Sequence, residues 1–157
     1  MRALLRPALL LAAVLGCGNP ALAADGAAVF RQHCLMCHQS GGAGLSGQFP
    51  RLAGRVAAIA AVPEARPYLV QVLSYGMSGS ITVDGQALIG MMPGFAQIPD
   101  ADLAALLDYL VSLGKAPRKA PAPFSAEEVK AARTGAALSA TEVLAARERL
   151  GIAGIAP

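Results

Sequence analysis

The sequence predicts an all-α fold with a short helical extension at its C-terminal end. Three observations carry that reading. Apolar residues recur at helical spacing from Asp25 to His38 and again from Asp100 to Gly114. Strand-like runs are scarce. Beyond Pro123 lie two Ser-capped, Ala-rich stretches that read as short helices. Hydrophobic residues make up 55% of the 157, yet aromatics only 4% with no Trp, so few large side chains are present to fill a core. Such a chain gains from a bulky apolar group taken in from outside.

Residues 1–24 read as an export signal. Arg2 and Arg6 form its charged start, Ala8 to Leu15 its apolar run, and Ala21-Leu22-Ala23 an A-x-A cleavage site. The apolar run is too short to span a bilayer and is broken from Gly16 to Pro20. Val14-Leu15-Gly16-Cys17 loosely resembles a bacterial lipobox, so a lipid anchor on Cys17 is the alternative to periplasmic release, and the only expected tie to a membrane. Taking Arg2 and Arg6 from the 13 basic residues leaves 11 against 10 acidic ones. That balance gives no nucleic-acid footprint, and none is expected as a partner.

Asp25 to His38 reads as one amphipathic helix, with Asp25 as N-cap and Phe30, Cys34 and Cys37 at i, i+4, i+7. Gly26 with Phe30 four residues on suits a close helix crossing, one residue permitting approach and the other filling space. The helix ends in Cys34-Leu35-Met36-Cys37-His38, the C-x-x-C-H spacing of covalent haem attachment. Two cysteines three apart on a helical turn present both sulfurs to one porphyrin edge, and the histidine follows beneath the iron. A zinc site lacks partners, since only His33 and Cys17 remain among the histidines and cysteines. A thioredoxin-like dithiol would need a βαβ surround. One covalent haem c on Cys34 and Cys37, with His38 as an iron ligand, is therefore expected; His33 reads as an exposed or partly packed side chain.

Gln39 to Gly47 is Gly- and Ser-rich and reads as a loop. Short helices are expected from Arg51 to Ala61 and after Pro63 through Tyr68, Val72 and Tyr75. Gly76 to Gly90 reads as a small hairpin or extended loop around Ile81-Thr82-Val83 and the turn Asp84-Gly85. Met91-Met92-Pro93 follows in a loop, with Met92 held by the proline and suited to face the iron opposite His38. Asp100 is the expected cap of the long helix, Leu103, Leu106, Leu107 and Leu110 its stripe, Tyr109 its aromatic cover and Gly114 its end.

On these residues, Asp25 to Gly114 resembles a class I cytochrome c of the bacterial monohaem kind. The pieces are the Gly26/Phe30 helix, Cys34 to His38, Phe49-Pro50-Arg51-Leu52, Gly85 through Gly90-Met91-Met92-Pro93-Gly94-Phe95, and the closing helix with Tyr109. The resemblance implies helices wrapped around one covalent haem. It assigns Met92 as distal ligand, Pro50 as the carbonyl that accepts the His38 Nδ1–H, and Arg51 as a candidate contact of a haem propionate. The chain departs from the pattern at Leu88, where an aromatic residue is usual, and in having no Trp.

Lys115 to residue 124 reads as a Pro-rich linker and 125–157 as a helical extension. Within it Ser125 to Arg133 matches Ser139 to Arg147 at seven of nine positions, each half opening as a capping box. Helices this short must pack on something. Folding back on the haem domain and forming a docking arm are the alternatives, the first preferred. The function expected is a periplasmic electron carrier, with no bond chemistry of its own, that serves redox proteins such as a dehydrogenase, a reductase or a terminal oxidase. The alternative is a dedicated cytochrome subunit of a periplasmic dehydrogenase or nitrite-reductase-type complex.

Overall fold

The computed structural model describes residues 25–115, 117 and 120–155. The expected export signal and Cys17 lie outside the described residues, as does part of the linker. Helix α1 (Gly26–His33) is opened by Asp25, whose carboxylate accepts from the Ala27 and Ala28 amides. The helix does not run on to His38. Cys34 leaves helical geometry at φ −120°, ψ −30°, and a separate turn, α2 (Leu35–His38), carries Cys37 and His38.

Helix α3 (Arg55–Ala60) starts four residues later than the sequence suggests. The Leu52 and Ala53 amides are held by the Gly42 carbonyl at 2.8 and 3.1 Å, which keeps that stretch out of the helix. A 3₁₀ turn at Pro63–Ala65 then leads into α4 (Arg66–Tyr75).

The expectation of an all-α fold needs correction at the next segment. Strands β1 (Met77–Val83) and β2 (Gln86–Met92) pair antiparallel from Met77↔Met92 to Val83↔Gln86. Asp84 and Gly85 join them at φ 51° and 77°. Two left-handed residues in a two-residue turn match the twist of the flanking strands, which is why the looser of the two sequence readings, a loop, gives way to a hairpin. Met91 and Met92 therefore end a strand rather than lie in a loop.

Helix α5 (Asp100–Ser112) closes the haem-motif half of the chain. Pro99, not Asp100, occupies its cap position. The Asp100 carboxylate instead meets Arg133 at 2.6 Å. α1 crosses α5 closely: a Cβ on Gly26 would collide with the Ala105 carbonyl, and the Phe30 and Tyr109 rings sit 5.3 Å apart beside the crossing. Leu103, Leu106 and Leu107 are fully buried beneath it.

The C-terminal segment folds back onto this body. α6 (Ala126–Arg133) packs on α4 and α5, and α7 (Ala140–Arg149) on α4 and β1. Val129, Val143 and Ile152 are wholly buried in the same apolar core as Phe30 and Leu106. Two arginines fasten the join. Arg66 reaches both Glu128 oxygens at 2.7 Å and lies 3.8 Å over the Phe124 ring. Arg133 donates to Ser74 Oγ, the Ile98 carbonyl and Asp100. Because Glu128 serves Arg66, the full capping box forms only at α7, between Ser139 and Glu142. No helix of the described residues is long and apolar enough to cross a membrane.

Replacing Arg133 by Met strips two buried acceptors, Ser74 Oγ and the Ile98 carbonyl, and the half-buried Asp100 carboxylate of their donor, and should lower stability by about 1–3 kcal/mol. Urea unfolding of the haem-loaded protein measures this. Truncation after Gly114 should lower the melting temperature further, because it uncovers the apolar faces of α4 and α5.

Candidate functional site

Cys34, His38, Pro50, Arg51 and Met92 come from three separate segments and line one cleft. Cys37, half-buried, lies one turn beyond Cys34 on α2 and is not part of the lining. Aliphatic side chains make most of the remaining wall, including Leu52, Val56, Ile59, Leu69, Leu73 and Leu107. The cleft is open to solvent at its mouth.

His38 is 6% exposed. Its Nδ1 lies 3.0 Å from the Pro50 carbonyl oxygen. A carbonyl can only accept, so Nδ1 carries the proton and Nε2 keeps its lone pair. Burial lowers the imidazole pKa from its ordinary value, and the Pro50 bond opposes the shift only partly. The ring is thus a neutral, oriented ligand base. The loop that supplies Pro50 is pinned by Gly44, whose N–H donates to the His38 carbonyl at 2.8 Å and whose missing Cβ leaves room for the Phe49 and Pro50 backbone.

Burial, and then the neighbouring Cys37, pushes the Cys34 thiol up to about 11. Met92 shares its face of the hairpin with Met77, its cross-strand partner, and both line the cleft. Met91 alternates to the other face and is 75% exposed. Met77 is better held than its Gly-flanked sequence suggests: its Sδ accepts from the Tyr68 hydroxyl at 3.7 Å. Arg51 stands at the rim, with Nε and Nη2 each 3.0 Å from an Asp84 oxygen. His33 lies outside the cleft, its ring 5.6 Å from that of Phe95.

Sequence reasoning missed Tyr68, Arg55 and Arg147 in the lining. Arg147 carried a legible signal. It falls four residues after Val143, on the buried face of α7, where an aliphatic residue is the ordinary choice.

The residues present suit a haem. Cys34 and a neutral histidine line an apolar cleft, with Cys37 one turn on and a thioether from a separate strand. Cations among the aliphatics suit a ligand whose body is apolar and whose edge is anionic. The comparisons agree. Residues 21–110 match the family described as cytochrome c oxidase, cbb3-type, subunit III. A cytochrome c-552 of Thermus thermophilus is 44% identical over 138 residues, 86% of this chain and 92% of its own length. A second Thermus thermophilus cytochrome c-552 is 44% identical over 131 residues, 82% of this chain and 98% of its own.

The chain belongs to the class I c-type cytochromes.

The cytochrome carries covalently bound haem c and is an electron carrier rather than an enzyme. The likeness to the first of the two relatives is longer than the 114 residues up to Gly114, so it extends into the C-terminal segment that packs on α4 and α5.

Gly44→Ala should strain the cytochrome at the cleft, since Gly44 sits at φ +71° and a Cβ there would lie 2.6 Å from the Phe49 carbonyl oxygen. The left-handed backbone alone costs about 1–2 kcal/mol. Faster solvent exchange of the His38 Nδ1–H, read by NMR of the reduced protein, should accompany the loss. Unchanged exchange would mean that Gly44 does not hold the Pro50 loop in place.

Proposed function

We propose that this cytochrome is a periplasmic carrier of single electrons built on one haem, attached through Cys34 and Cys37 and ligated by His38 and Met92. The observation that carries the reading is one cleft shared by a neutral His38, tied to Pro50 through Nδ1, and a Met92 thioether brought by β2. The bound haem supplies the one-electron change between Fe(II) and Fe(III). Pro50 fixes the ring of His38 and strengthens its free nitrogen as a donor. The aliphatic wall excludes water, and a thioether ligand favours Fe(II). Arg51, at the rim, is assigned to the propionate edge.

Met92 is preferred to Met77 because the Tyr68 hydroxyl already engages the Met77 sulfur. Pro93 also restricts the backbone of Met92. Met91 faces the wrong way.

The proposed organisation is a signal peptide at 1–24, the cytochrome domain at 25–114, a linker at 115–124 and an extension at 125–157. Export by that signal, or a lipid on Cys17, sets the compartment. Partners are redox proteins: a dehydrogenase, a reductase or a terminal oxidase. A second reading makes the chain a dedicated subunit of an oxidoreductase complex; the family description, which names an oxidase subunit, favours it. Isolation of the native protein separates the two, since a carrier comes away alone and a subunit comes with its complex.

Met92→Ala should abolish the long-wavelength sulfur-to-iron charge-transfer band of the oxidised protein, lower the reduction potential and admit added imidazole or CO. Met91→Ala and Met77→Ala should keep the band. Loss of the band in either of these, with its retention in Met92→Ala, refutes the assignment.

A further inference from the structure

The stretch that carries Met92 out of the hairpin has no charge with which to anchor itself. Between residues 85 and 99 there is no Asp, Glu, Lys or Arg. It must be held by its backbone and by groups from elsewhere. The backbone rests on the end of α4. A Cβ on Gly76 would collide with the Met92 carbonyl, and one on Gly94 with the Ser74 carbonyl. The Phe95 amide then donates to the Leu73 carbonyl at 2.8 Å. Met92 is therefore seated only as firmly as residues 73–76 and 93–99 stay together.

A third element makes that join fast. Arg133, the last residue of α6, donates from Nε to Ser74 Oγ at 2.9 Å. Its Nη1 donates to the Ile98 carbonyl at 3.0 Å and to the Asp100 carboxylate. Ser74 and Ile98 are both buried. The neighbouring Tyr75 hydroxyl donates back to the Arg133 carbonyl at 3.4 Å. One rigid guanidinium thus ties the end of α4 to the start of α5, behind the segment that Met92 begins. Arg66 fastens the same tail elsewhere. Its partners are Glu128, the Phe124 ring and the Ala122 and Pro123 carbonyls, all in the C-terminal segment.

We propose that Arg133 is a positioning residue for the iron: it locks the segment behind Met92, so the C-terminal extension sets how firmly the thioether is held. The inference rests on the assignment of Met92 as ligand and adds a residue that does not line the cleft. A neutral sulfur on a loose segment must be ordered each time it binds, and that ordering costs entropy. A segment already fixed at Gly94, Phe95 and Ile98 has little left to lose. The tail acts on the metal in this way without touching it.

The test uses the full haem-loaded chain, with Arg133→Met, Ser74→Ala and Arg66→Met compared with the unsubstituted protein. Imidazole is titrated into the oxidised protein, and the sulfur-to-iron charge-transfer band reports how much Met92 remains bound. Far-ultraviolet circular dichroism follows the helices on heating. In Arg133→Met the imidazole concentration that removes half of the band should fall about tenfold, equivalent to ~1.4 kcal/mol less hold on the sulfur. The band should also fade on heating well before the helices melt. Ser74→Ala removes a single acceptor and should shift the midpoint the same way by a smaller factor, which decides the matter if Arg133→Met does not accumulate. Arg66→Met should lower the melting temperature with the imidazole midpoint unchanged, band and helices being lost together. A wild-type midpoint in both Arg133→Met and Ser74→Ala, or an equal shift in Arg66→Met, would overturn the proposal. A band that survives Met92→Ala would instead refute the ligand assignment beneath it.

Discussion

The crossing of α1 on α5 is the contact on which the remaining architecture depends. Gly26 lets one backbone rest on the carbonyl of Ala105, and Phe30 and Tyr109 close the space beside it. That contact fixes the direction in which α1 delivers Cys34. The break at Cys34 then re-aims α2, so that His38 reaches the Pro50 carbonyl. A side chain on Gly26 would push the helices apart at the one place where both must stay close, and the cysteine turn would move with α1.

How much of this was legible in the sequence depends on the range of the interaction involved. Asp25 as a cap, Gly26 against α5, the Ser139–Glu142 box and the Asp84-Gly85 turn are decided by residues within a few positions, and each reads correctly. The break after His33 does not read, because Phe30, Cys34 and Cys37 have the same spacing with or without it. The start of α3 fails for a related reason: the Gly42 carbonyl that claims the Leu52 and Ala53 amides lies ten residues upstream. The hairpin was half legible. Its turn and β-branched centre were visible, but its reach to Met92 follows from pairing with Met77, which no local pattern announces.

The cleft shows the same division. Cys34, Cys37 and His38 form a contiguous motif, and Met92 and Pro50 follow from a resemblance in chain order. Arg55 and Arg147 are 92 positions apart, and only folding reveals that they share a wall. Their company also explains the composition. A chain with so few aromatic residues leaves a cleft in its core, and the apolar body of a haem is what that wall of Leu, Ile and Val can cover.

The two-residue turn at Asp84-Gly85 has a consequence for the cleft that lies well beyond the turn itself. Side chains alternate strictly along β2, so the phase of the alternation is set where the strand begins. With Val83 opposite Gln86, Met92 looks into the cleft and Met91 looks out. A frame advanced by one residue would exchange them, presenting to the cleft the methionine that lacks a following proline. Which methionine faces the cleft is in this sense a counting problem, settled by the geometry of a glycine seven residues away.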